Sequence, residues 1–270
     1  MKNGPSLKSL VATAALLASV PALAQEQFDC VLDPSALVRV GSPVPGLLSE
    51  VVAERGTVVH QGQPVARLES TVEAATVALA EAQANSRAAV TAQEARAELA
   101  RRRLERSNRL AGMNVVAQQD LEAHQAELAI ARQDLARAIE QRDIARLEME
   151  RAKALLELRT IRSPLDGVVT ERALAGGEYV NQDGHVLTIA ALHPLFVETF
   201  LPVRYYGTIA VGDAATVETE APLKGTHQAR IEVIDRVFDA ASGTFGVRLT
   251  LPNADGRLPA GLRCKVRFGM

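Results

Sequence analysis

SPVPGLLSEVVAERGTVVHQGQPVARL, Ser42 to Leu68, and SPLDGVVTERALAGGEYVNQDGHVLTI, Ser163 to Ile189, are one pattern written twice at a gap-free offset of 121 residues. Ser42, Pro43, Gly46, Glu50, Gly56, Val59, Gln61 and Val65 recur as Ser163, Pro164, Gly167, Glu171, Gly177, Val180, Gln182 and Val186. Val44, Leu47, Leu48 and Leu68 recur as the apolar Leu165, Val168, Val169 and Ile189. Both copies read as short β-branched strands punctuated by glycine turns, at Gly46 and Gly56 in the first and at Gly167 and Gly177 in the second. A half-module of this size cannot bury a sheet face alone. The two copies are therefore expected to pack on each other, and the chain between them to leave that module and return to it.

The intervening stretch has a different chemistry. From Glu69 to Leu158 it contains no proline and a single glycine, Gly112, near its midpoint. Alanine, glutamate, arginine, glutamine and leucine dominate it, and these are strong helix formers. Ser70-x-x-Glu73 has the form of a capping box at the start. Leu121, Leu128 and Leu135 recur every seventh residue with Ala131, Ala138, Ala145 and Ala152 between and beyond them, which predicts a coiled coil. Gly112 occupies the position of a C′ glycine ending the first helix. The expectation is a helical hairpin over residues 70–158, with its turn at 111–117 and arms of roughly 40 residues each. A free cytoskeletal-type coiled coil is the competing reading, and the flanking half-modules argue against it.

Residues 1–24 read as an export signal: Lys2 and Lys8 ahead of the apolar run Leu10–Val20, then Ala22-Leu23-Ala24 as a small-residue cleavage site. The apolar run is too short to span a bilayer. Without the signal the chain keeps 28 basic residues (30 less Lys2 and Lys8) against 32 acidic ones, which is no footprint for nucleic acid. Arginines dispersed among acids along the helices read as a solvated face. The two cysteines, Cys30 and Cys264, lie near the two ends of the exported chain. In an oxidising compartment a disulfide is the leading reading, and two separate buried thiols are the alternative. Two thiolates without a histidine pair fall short of a metal site.

Beyond the second half-module the pattern becomes strand and turn. Leu195–Leu201, Ala215–Thr219, Ala229–Val237, Thr244–Leu251 and Leu262–Phe268 run or alternate apolar. Glycine-bearing turns at Gly212-Asp213, Ala240–Gly243, Asn253–Gly256 and Pro259–Gly261 separate them. This spacing suggests a small antiparallel barrel. Phe28–Val40 is also strand-like. Pairing it beside the last strand completes the barrel and brings Cys30 to Cys264.

Taken together, GLLSEVVAERGTVVHQGQPVARLES, the helical hairpin, IRSPLDGVVTERALAGGEYV and DAASGTFGVRLTLPNADGRLPAGLRCKVRF resemble the periplasmic adaptor, or membrane fusion protein, family. The nearest likeness is to the adaptors of resistance–nodulation–division efflux pumps, and it covers nearly all of residues 28–268. The resemblance implies a mixed α and β, multidomain, elongated chain. Its parts are a split lipoyl/biotinyl-like module from 41–69 and 159–190, a helical hairpin at 70–158, and a β-barrel from 191–270 joined by the strand 28–40. It further implies a non-enzymatic adaptor in the periplasm, peripheral to the inner membrane, bridging an inner-membrane transporter to an outer-membrane channel. The implied assembly is a ring, usually of six copies. An adaptor of an ATP-driven exporter or protein secretion system shares the same modules and is the runner-up.

At the hairpin tip, members that dock on the channel carry an arginine, a leucine four residues on and a serine seven beyond that. Arg106 and Leu110 fit, and Gly112 and Val116 fall where the family has glycine and an apolar residue. The serine position holds Ala117, a departure that removes a cap for the second helix and shifts the contact toward Val115 and Val116. The plainer reading of Arg106 is a solvated arginine among Arg101, Arg102, Arg103 and Arg109. Larger adaptors continue into a membrane-proximal domain. Here Met270 follows the last barrel strand, so the barrel and lipoyl-like module are expected to make the transporter contacts.

An enzyme or carrier is disfavoured by the residues themselves. None of Lys2, Lys8, Lys153, Lys224 and Lys265 sits at a half-module junction, where a swinging-arm carrier needs its modified lysine. His60, His124, His185, His193 and His227 form neither H-x-H nor H-E-x-x-H, and no G-x-S-x-G or P-loop is present. No cofactor, metal or catalytic residue is therefore expected.

Overall fold

The computed structural model describes residues 26–113 and 117–269. The signal at 1–24 and the tip residues Val115 and Val116 fall outside the described residues. The fold is mixed α and β and divides into two compact units.

The first unit holds the interlocked repeats and the helices. Its strands are β2 (Gly46–Val51), β3 (Val58–Val59), β4 (Pro64–Leu68), β5 (Thr160–Arg162), β6 (Gly167–Arg172) and β7 (Tyr179–Val180), with the beginning of β8 (His185–Pro202). The two copies meet reciprocally. β2 pairs β7 through Gly46↔Val180 and Leu47↔Tyr179, and β3 pairs β6 through Val59↔Gly167 and Val58↔Val168. The Gly56 amide donates to the Val169 carbonyl at 2.8 Å and the Gly177 amide to the Leu48 carbonyl at 2.7 Å, so each copy's turn is tied to the other copy's strand. The core is shared in the same way: Leu48, Val59, Val65, Ala66 and Leu68 are buried together with their counterparts Val169, Val180, Val186, Leu187 and Ile189. Neither half has a core without the other, which is why the repeat must close on itself.

Gly56 and Gly177 both have φ of +89°, the left-handed region that disfavours side chains. Gly46 and Gly167, expected to be turns as well, are instead the first residues of β2 and β6. Their requirement is room. A Cβ on Gly167 would lie 2.3 Å from the Ala190 carbonyl oxygen.

The helices are α1 (Thr71–Asn85), α2 (Ala88–Ala111) and α3 (Gln118–Glu157), with α1 and α2 packed in turn along α3. The less exposed positions of α3 include a seam that steps by threes and fours through 121, 124, 128, 131, 135, 138, 142, 145, 149, 152 and 156, flanked by 127, 134 and 143. The outgoing arm departs from a single expected helix. Its seam follows 73, 77, 80 and 84 in α1, then 90, 93, 97, 100, 104, 107 and 111 in α2, one residue short of a continuous repeat. One residue is a rotation of about 100°, and the break at Ser86-Arg87 absorbs it. Ser86 is extended (φ −70°, ψ 120°), and asparagine and serine are residue types of weak helix propensity.

Both expected caps also differ. Ser70 is the N-cap of α1 but makes no side-chain cap bond. Glu73 is taken by Arg159 at 2.5 Å in a largely buried pair, while Glu69 accepts the Thr71 amide at 3.1 Å instead. Gly112 ends α2 with right-handed helical angles (φ −60°, ψ −17°) and is no left-handed C′ glycine.

The second unit is a closed six-stranded barrel. Its order is β1 (Phe28–Gly41), β12 (Arg263–Phe268), β9 (Ala214–Thr219), β10 (Gly225–Ile234), β11 (Thr244–Leu251) and the end of β8, which pairs β1 again. Alternate residues point inward, as in Ala215, Val217 and Thr219 of β9 or Cys264, Val266 and Phe268 of β12. Closure removes the sheet edges that an open six-stranded array would leave unpaired.

Candidate docking and seam sites

The free end of α2 carries Arg106 and Leu110 on exposed positions, with Leu110 43% exposed and Met113 71%. Ser107, between them, is buried, so it marks the seam side of the helix and leaves Arg106 off it. Sequence reading did not single out Ser107 or Met113. The arginines around Arg106 have carboxylate partners: Arg101 binds Glu98 and Glu105, Arg102 binds Glu98 at 2.8 Å, and Arg103 crosses to Glu127 of α3 at 2.6 Å. Arg106 and Arg109 have none among the described residues. The Arg103–Glu127 bridge, with His124 Nδ1 3.5 Å from the same carboxylate, fastens α2 to α3 just before the tip. Beyond that fastening the described residues of α2 and its end include two arginines without a carboxylate, Arg106 and Arg109, and the exposed side chains of Leu110 and Met113.

Ala117 is the N-cap of α3, extended at φ −67° and ψ 144°, with no side chain to accept the first amides. Its carbonyl takes the Asp120 amide at 3.1 Å, and Asp120 is the acid of the first turn. An acid there favours the positive end of the helix dipole.

The barrel seam holds the two cysteines. Cys30 of β1 and Cys264 of β12 stand opposite each other in the antiparallel register and form a disulfide, Cα to Cα 4.9 Å, buried on both sides. Thr199 Oγ1 donates to the Asp29 carbonyl at 2.8 Å, and Lys265 is paired with the Asp29 carboxylate. The hydrogen bond that Lys265 Nζ donates to the Asp29 carboxylate raises the ammonium above its usual pKa.

The histidines do not converge. His60 Nδ1 sits 3.3 Å from Asp166, exposed, and His193 Nδ1 accepts the Asn253 amide at 3.0 Å. Among the described residues no group of three His, Cys, Asp or Glu is placed to hold a metal ion, and no helix is long and apolar enough to cross a membrane.

Residues 36–191 match the CzcB-like barrel-sandwich hybrid domain, and residues 194–270 match the CusB-like beta-barrel domain. The chain thus belongs to the membrane fusion protein family of periplasmic adaptors. An uncharacterised protein of Haemophilus influenzae is 25% identical over 226 residues, 83% of this chain and 52% of that protein. The nickel-cobalt-cadmium resistance protein NccB of Alcaligenes xylosoxydans xylosoxydans is 25% identical over 237 residues, 87% of this chain and 55% of its own. The chain spans about half the length of these curated relatives. In fold it is similar to the crystal structure of MacA from Actinobacillus actinomycetemcomitans, with TM-score 0.72 at 20% identity over 90% of this chain and 78% of that one.

Proposed function

We propose that this chain is the periplasmic adaptor subunit of a tripartite efflux pump, exported by a cleaved signal and peripheral to the inner membrane. As a ring of six copies it bridges a resistance–nodulation–division transporter to an outer-membrane channel. The observation that carries the reading is the reciprocal tie of the two repeats. A lipoyl-like module closed from both ends of the helical insertion holds the root of the hairpin, and this leaves the far end, with Arg106 and Leu110, free for a partner. Val115, Val116 and Ala117 belong to the same docking tip. The mechanism is geometric: the barrel and lipoyl-like module seal the ring, the hairpins carry the conduit, and the transporter supplies the energy.

Crosslinking the cell envelope, capturing this chain and identifying the inner-membrane protein by mass spectrometry tests the reading. A resistance–nodulation–division transporter is the expected catch. An ATP-binding exporter in its place would move the chain to the other class of pump.

A further inference from the structure

The hairpin has two unlike sides. On one side large aliphatic side chains stand in the open: Leu79 61%, Leu99 48%, Ile130 63%, Ile144 50% and Leu155 48% exposed. Two depressions run along it, of about 450 Å³ around Ile130 and Leu99 and about 350 Å³ between Leu79, Leu155 and Glu148. Ile130 and Glu148 are 18 residues apart, about five turns of α3, so the two depressions share one side. Glu148 stands at the rim of the second with no ion pair among the described residues.

The opposite side carries a pocket of about 310 Å³ where the break between α1 and α2 opens against α3. Arg87, Arg142 and Arg146 line it, together with Asn85, Ala84 and Asp143. Asp143 bonds Arg142 at 3.1 Å, which leaves Arg87 and Arg146 without a carboxylate among the described residues. Arg146 and Glu148 are two residues apart on α3. They therefore point about 200° away from each other yet differ in height by only about 3 Å.

The geometry points to a second copy of this chain as the occupant: Glu148 of one hairpin enters the Arg87–Arg142–Arg146 pocket of the next. Copies around a rotation axis keep each residue at one height, so groups that meet across such an interface must be level along the hairpin. A carboxylate and an arginine pocket, level and on opposite sides, are what a head-to-tail closed ring requires. The contact covers Ile144 and Leu155 and supplies the missing anion, with charge complementarity fixing the register. Pairing the apolar side with itself about a two-fold axis would leave the arginine pocket without its anion. The inference rests on the ring proposed above and adds which faces form it.

The test uses the full chain with Arg146→Cys and Glu148→Cys together, its native cysteines remaining disulfide-bonded, treated with a short bismaleimide. Side chains at i and i+2 do not face each other, so the two new thiols link only between copies. The expected result is a ladder of covalent multimers ending at one closed size, with neither single variant giving more than traces. Native mass spectrometry of the uncrosslinked protein separates the outcomes. Rings without the ladder, or dimers from Glu148→Cys alone, overturn this interface and leave the ring standing. A chain that is monomeric under every condition overturns both.

Discussion

Alanine at the four glycines of the repeat is expected to rank in an order that the repeat alone does not suggest. Gly56 and Gly177 share φ of +89°, and a Cβ at either meets nothing within 4 Å. The penalty there is conformational, about 1–2 kcal/mol, offset by about 0.4–1 kcal/mol from a stiffer unfolded chain. A net loss of about 1 kcal/mol is expected at each, equal at both sites. Gly46 and Gly167 are counterparts by sequence but not by surroundings. A Cβ on Gly46 reaches the end of the Arg159 side chain at 2.9 Å, which can give by a few tenths of an ångström within its pair with Glu73, whereas on Gly167 it strikes the Ala190 carbonyl oxygen at 2.3 Å and Ile189 Cγ2 at 2.8 Å. Backbone cannot yield as a guanidinium can, so Gly167→Ala is expected to cost about 3 kcal/mol or more and Gly46→Ala less than about 1 kcal/mol. Urea unfolding of the four variants measures this. Equal losses at Gly46 and Gly167, or a Gly56–Gly177 difference above about 1 kcal/mol, would refute the reasoning.

Four further outcomes are expected. Replacing Cys30 and Cys264 by alanine opens a closure of 234 residues and lowers stability by up to about 5 kcal/mol in the chain-entropy account; a melting curve that does not move contradicts it. Arg106→Asp abolishes export in cells while stability stays within about 0.5 kcal/mol of the parent, since the site is exposed. Ala117→Ser adds about 1 kcal/mol through a restored cap and leaves export unchanged or improved. Hydrogen bonds from Arg101 and then Arg102 draw the Glu98 carboxyl down to about 2. With the folded value below the unfolded one, its contribution is present above the ordinary carboxylate pKa and is lost as pH falls toward 2. Glu98→Gln should flatten part of the loss of helical circular dichroism over that window, and an identical acid profile would show the pair contributes nothing.

The parts of this fold that sequence reading reached are those with redundant signals. Eight identities at one offset announced the interlocking halves, and the reciprocal bonds of Gly56 and Gly177 are the physical form of that offset. Cys30 and Cys264 were the two cysteines of a chain whose first residues read as an export signal, with strand patterns at both positions. What escaped the reading depended on competition between partners. Ser70 and Glu73 have the spacing of a capping box, but Arg159, distant in sequence, offers Glu73 a full charge, and the box does not form. The break at Ser86-Arg87 contains neither proline nor glycine. Its signal was a register slip, since Val77 and Ala84 continue to 91 while Val90, Ala97, Leu104 and Ala111 keep a beat one residue earlier. Arg106 looked like one of five similar arginines, and the carboxylates placed beside Arg101, Arg102 and Arg103 separate it and Arg109 from those three.

Bridging is the central claim, and a photo-crosslinking residue at position 110 in living cells tests it most directly. Irradiation is expected to join the chain to an outer-membrane channel protein, with the same probe at position 130, on the side of the hairpin, giving only copies of this chain. Adducts at position 110 that contain no outer-membrane protein, in cells that export normally, would contradict the account.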